Sequence, residues 1–128
     1  MTDSSIFIMD KDRFWGSVDM ENIYYIETIK STHYYEVKTK HGEGKLHADI
    51  VALQQWLPDY FYKSRASTLV NMKLVRKVDT KNRLLYFTNE ICCSYTARRS
   101  KEIKDILNIR NYRNYKEEGN EKNADTAL

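Results

Sequence analysis

Apolar and polar positions alternate over short runs along most of the chain, and turn-forming residues separate the runs too closely for long helices. Ile6 to Met9 is apolar, the polar DKDR follows, and Phe14 and Trp15 begin another apolar run, which predicts a strand, a turn and a second strand. A turn over Val18 to Asn22 leads into Ile23 to Glu27, too short and too aromatic for a helix and therefore read as a core strand. Beyond the polar stretch TIKSTH, Tyr35, Val37 and Thr39 alternate with Glu36, Lys38 and Lys40, the period of a strand with one wet face. His41 to Lys45 contains two glycines able to take positive φ, so it is expected to turn the chain over as a hairpin. Asp49 is placed to cap a helix whose Ile50, Leu53, Trp56 and Leu57 share one face, and Pro58 stops it.

The stretch DYFYKSRASTLVNMKLV, residues 59–75, carries the densest information. Tyr60, Phe61 and Tyr62 favour a strand. Ser64 or Ser67 is placed to cap one or two helical turns that would follow, with Leu69, Val70, Met72, Leu74 and Val75 as their apolar anchor. Two further strands, Arg76 to Asp79 and Leu84 to Phe87, are expected around the polar TKNR, and Ile91 to Tyr95 is read as the last strand. The loop Thr96 to Ser100 then reaches a final helix over Lys101 to Ile109, with Ser100 favoured over Thr96 as its cap. The fold class is therefore mostly β with short helices and a C-terminal helix. Residues 1–110 are expected to form the domain, and residues 111–128 a polar, disordered tail.

A length of 128 residues fits one domain with one modest core. Charged residues make up 30% of the chain and no apolar run approaches bilayer-spanning length, so membrane insertion is not expected. The N-terminal stretch has no basic leader followed by a long apolar segment, and cytoplasmic residence is the expectation. Net charge is +3, but the last thirteen residues hold two Lys and four acidic residues, so the preceding chain carries +5. Cys92 and Cys93 are adjacent and would face opposite sides of a strand, which predicts reduced thiols and no disulfide between them.

Three segments combine cations with hydroxyls: Lys30 to His33, Lys63 to Ser67, and Thr96 to Arg99. Arginine can bond the O6/N7 edge of guanine in bidentate fashion, while lysine, serine and threonine suit phosphate oxygens. Two arginines just before a helix N-terminus oppose its dipole, which favours a ligand-binding use for Arg98 and Arg99. Metal and nucleophile chemistry find no footing. His33, His41 and His47 sit apart, the cysteines lack C-x-x-C spacing, and the carboxylates fall singly, so no metal, no cofactor and no catalytic site is expected.

The I-x-Y-I-E run at Ile23 to Glu27, the K-S-T-H loop, the F-x-K-S-R and L-V-N segment from Phe61 to Asn71, and the L-Y-F and S-Y-T-A-R-R ending resemble, in order and spacing, the LytTR DNA-binding domain. The match covers about residues 6–107. The resemblance implies an elongated set of small antiparallel sheets with short helices, in a response regulator-like bacterial transcription regulator. Its loops would enter successive major grooves of double-stranded DNA at direct repeats, commonly as two domains side by side. Carried over, base reading falls to His33, Arg65 or its neighbour Ala66, and Arg98, with Lys30, Lys63, Ala66, Ser67 and Arg99 as backbone or secondary contacts. Ala66 departs from family members with a hydrogen-bonding residue there. Few residues precede the first strand, so the chain is either a stand-alone regulator without a receiver domain or a fragment of a longer one. The expected partners are duplex DNA, a second copy on that DNA, and a regulatory protein. The rival expectation is a LytTR-like interaction module that modulates another regulator without binding DNA itself.

Overall fold

The structure, a computed structural model, describes residues 5–30 and 32–110. The chain divides into two compact units, Met1–Thr96 and Ala97–Leu128. The tail expected over residues 111–128 lies outside the described residues.

Strands dominate the first unit. They are β1 (Ser5–Asp10), β2 (Trp15–Asp19), β3 (Ile23–Thr28), β4 (Tyr34–Thr39), β5 (Gly42–His47), β6 (Phe61–Arg65), β7 (Thr68–Asn71), β8 (Lys77–Asp79), β9 (Leu84–Tyr86) and β10 (Cys92–Ser94). Seven of them form one antiparallel sheet in the order β2-β1-β5-β4-β3-β7-β6, and β10-β9-β8 form a second. Helix α1 (Ile50–Trp56) joins β5 to β6.

Alternation decides what each face of the large sheet does. Ile26 pairs with Val37 on one side and Leu69 on the other, and Tyr35 pairs with Leu46, so these apolar residues share one face. With Ile6, Ile8, Met20, Ile23, Leu53 and Leu57 they make the core. Burying one such side chain is worth roughly 1.5–3 kcal/mol. The other face carries Tyr25, Glu27, Glu36, Lys38 and Lys45. The second sheet packs against it at Tyr25, whose ring stacks on that of Phe87 at 5.9 Å. Over β1 and β2 that face is uncovered, and Phe7 and Trp15 meet there at 6.1 Å while both stay exposed.

Several sequence expectations are corrected. Thr68 to Asn71 is strand rather than helix, and only Met72–Leu74 forms a 3-10 turn. All four strand residues are buried because β7 lies between β3 and β6, and the β-branched Thr68 and Val70 suit that site. Ser64 and Ser67 cap nothing; the cap is Asn71, whose side-chain oxygen accepts from the Lys73 amide at 3.0 Å. The β4–β5 turn is only Lys40 and His41, since Thr39 already pairs with Gly42. Gly42 has φ 129°, but Gly44 is a strand residue pressed against β1, where an added Cβ would lie 2.8 Å from both Ile8 Cδ1 and the Met9 carbonyl oxygen. Asp49 stands at the α1 N-cap without a side-chain cap bond, and Trp56 is exposed while Leu53 and Leu57 are buried.

In the second unit, Ala97–Arg99 is a 3-10 turn and not a loop, and it runs directly into helix α2, residues 100–110. Ser100 is therefore the first residue of that helix rather than its cap.

Candidate nucleic-acid interface

One end of the large sheet collects the exit of β3, the entry of β4, the exit of β5 and the β6–β7 turn. Tyr34 pairs with His47, Thr28 with Tyr35, and Glu27 with Thr68, so these chain ends are level with one another. The Thr28 amide donates to the Ser67 carbonyl at 2.9 Å, tying the β3–β4 loop to the β6–β7 turn. Lys30, His33, Arg65, Ala66 and Ser67 are thereby brought to one edge, and all but Ser67 are exposed.

Thr32 shapes the first loop. Its hydroxyl donates to the Ile29 carbonyl at 2.9 Å and accepts from the Tyr34 amide at 3.0 Å, while the Ile29 amide donates to the Tyr34 carbonyl at 3.0 Å. A small hydroxyl residue competing for backbone partners is what closes such a turn. It leaves the His33 ring exposed, edge-on to the His47 ring at 6.3 Å, and Tyr34 lies 5.0 Å from His47.

The second loop is aimed by a bulge. Lys63 opposes Leu69 and Arg65 opposes Thr68, so Ser64 is an extra residue in β6. Ser64 is fully buried, and its hydroxyl donates to the Ser94 carbonyl at 3.0 Å. The Thr96 amide in turn donates to the Ser64 carbonyl at 3.2 Å. The displaced Arg65 reaches Ser94, its Nη1 donating to Oγ at 2.6 Å, which fixes the guanidinium at the rim with other donors still outward. Lys63 is half-buried two positions earlier.

Arg98 and Arg99 belong to the second unit, Arg98 exposed and Arg99 half-buried on the 3-10 turn. Ser94 and His47 were not singled out as site residues from the sequence. His47 is legible only once the β4–β5 register is known, and Ser94 only once β6 is seen to bulge. Beyond this edge, an open cavity of about 820 Å³ is lined by Trp15, Tyr34 and His47 together with the cations Lys11, Arg13 and Lys45 and the carboxylates Asp10, Glu36 and Glu43. Burial and a hydrogen bond to Glu43 hold the Glu36 carboxyl above the ordinary range, and Lys38, 2.6 Å from Glu43, holds that carboxyl below it. No group of His, Cys, Asp and Glu suited to a metal occurs among the described residues. Cys93 is buried and its thiol is pushed up to about 12 by that burial and by the charges of Glu27 and Cys92, so it is not a nucleophile at neutral pH.

The family model of the LytTr DNA-binding domain matches residues 15–108. The chain belongs to that family. Among solved structures, the LytTr domain is similar to the LytTr DNA-binding domain assigned to a methyl-accepting/DNA response regulator of Bacillus cereus, with a TM-score of 0.69 and 19% identity, over 83% of this chain and 98% of that one. At that identity the likeness concerns the fold. No curated protein sequence matches the chain. Among the described residues of this LytTr domain, no helix is long and apolar enough to cross a membrane.

Proposed function

We propose that this LytTr domain acts as a sequence-specific regulator on double-stranded DNA, its basic loops entering successive major grooves at direct repeats. The observation that carries the reading is the gathering of Lys30, His33 and Arg65 at one sheet end, with Arg65 braced on Ser94. Base reading falls to His33, Arg65 and Arg98. Lys30, Lys63, Ser67 and Arg99 hold the backbone, and Ala66, which offers only a methyl group, is a close packing contact there. A second copy on the neighbouring repeat is the expected partner. The exposed Phe7, Phe14 and Trp15 favour a second reading, in which a regulatory protein docks on the β1–β2 hairpin.

Selection of duplexes from a random library at physiological salt tests the first reading. A recovered direct repeat is expected. Arg98→Ala should relax one base position at a cost of about 1–3 kcal/mol, and Lys63→Ala should weaken all sequences alike and flatten the salt dependence. Recovery of no motif, with only weak salt-sensitive binding, would turn the assignment to the interaction module.

A further inference from the structure

The β8–β9 hairpin belongs to none of the three loops. Its tip, residues 80–83, ends on Arg83 at φ 57°, the left-handed region where glycine or asparagine would sit with less strain. Asn82 stands one position earlier and does not take that place. Asp79 pins the corner, its Oδ1 accepting from the Lys81 and Asn82 amides at 3.0 Å each and its Oδ2 from the Asn82 side-chain amide at 2.9 Å. The Asp79 carboxylate is thus occupied by the turn. Lys81 and Arg83 are exposed, and neither side chain has an ion-pair or hydrogen-bond partner among the described residues.

Register puts this tip beside the candidate interface. Leu84 pairs with Ser94, and the Tyr95 amide donates to the Arg83 carbonyl at 3.1 Å. On the far side of the same Ser94 to Thr96 segment, Ser64 and Arg65 make the three bonds already described. Arg83 and Arg65 therefore flank one short segment, two strand spacings or roughly 10 Å apart in the backbone. The β1–β2 hairpin supplies an internal contrast. Arg13 has φ 70° and Asp10 Oδ1 accepts from the Asp12 and Phe14 amides, but Asp10 pairs with Gly44, so that tip projects towards Gly42 and away from His47.

We propose that Arg83, with Lys81 beside it, is a phosphate-binding corner that extends the DNA interface past Arg65. The inference rests on the DNA-binding reading above. A guanidinium on a pinned turn is pre-organised for a phosphate, and its fork suits two oxygens at once. The positive φ is then the cost of keeping a cation where a neutral glycine would fold more easily.

The test titrates the whole chain with mixed-sequence duplex over a range of KCl concentrations, beside Arg83→Gly, Arg83→Lys and Arg13→Gly, with a thermal melt of each. Arg83→Gly should lower the slope of log K against log salt by about one and leave the melting temperature unchanged or raised. Arg83→Lys should keep the slope, and Arg13→Gly should keep it while gaining stability. A wild-type slope in Arg83→Gly overturns the inference, and so does a lost slope in Arg83→Lys, which would mark a packing role. Absence of salt-sensitive binding by the wild type is a different result, and it removes the DNA reading itself.

Discussion

Ser64 has no exposed surface, yet its single hydroxyl determines where Arg65 points. As the extra residue of a bulge it turns inward, and only the Ser94 carbonyl within reach satisfies it. Alanine at this position keeps the volume nearly unchanged and removes the bond. Ser64→Ala should cost about 1–3 kcal/mol in urea unfolding, because the Ser94 carbonyl loses its partner. It should also weaken DNA binding through Arg65, which then hangs from a looser strand. Unchanged stability together with unchanged affinity would mean that the bulge holds its shape without the hydroxyl. Asn71 is another buried polar residue with a local task, the capping of the turn at Met72–Leu74.

At the scale of elements, packing against neighbours outweighs local preference. Leu69 to Val75 reads as an apolar helical anchor because its spacing is ambiguous over so short a run. Strand wins over Thr68 to Asn71 because β3 and β6 supply ladder partners on both sides, and no local residue announces that β3 will be there. The β1–β2 hairpin and strands β3 and β4 were legible, since each is settled by its own turn or its own period, whereas the first part of β5, Gly42 to Lys45, reads as turn because of its two glycines. The order β2-β1-β5-β4-β3-β7-β6 was not, nor was the bond from Arg65 to Ser94, because both join segments far apart in sequence. Three cationic segments could be read from composition alone. That Lys30, His33 and Arg65 share an edge could not, and Arg83 escaped notice because nothing in its neighbours signals a left-handed arginine. Gly44 shows the same dependence on tertiary context. Gly44→Ala should destabilise by about 1–3 kcal/mol, since the carbonyl of Met9 cannot retreat without breaking the β1–β5 pairing. Gly16→Ala, where nothing lies within 4 Å, is the matched control. Equal melting curves for the two would show that β1 yields freely.

For the whole molecule, the second face of the large sheet brings like charges together. Glu27 and Glu36 lie directly opposite each other in the β3–β4 ladder, with Glu43 close by. Like charges in that arrangement oppose folding. The Glu36 carboxyl is held above its usual 4.5 by burial first and by Glu43 next. An acid whose folded value is raised destabilises the fold when ionised, and the penalty fades as pH falls towards the unfolded value. Glu36→Gln should therefore be more stable than the wild type at neutral pH, and the two melting temperatures should converge below about pH 4.5. A gap that persists in acid would show that the gain comes from packing and not from charge.

The large sheet leaves one face bare over β1 and β2, and α1 turns part of its own surface outward. As a result both tryptophans are in water in the native state, Trp15 at 63% and Trp56 at 57% exposure. Their emission will change little when the chain unfolds, so a fluorescence melt would portray a stable protein as one without a transition. The optical signature of the native state belongs instead to Tyr25, Tyr35 and Tyr95, whose rings are buried and would lose their fixed surroundings on melting. Near-ultraviolet dichroism of those tyrosines is the signal that reports whether this domain is folded.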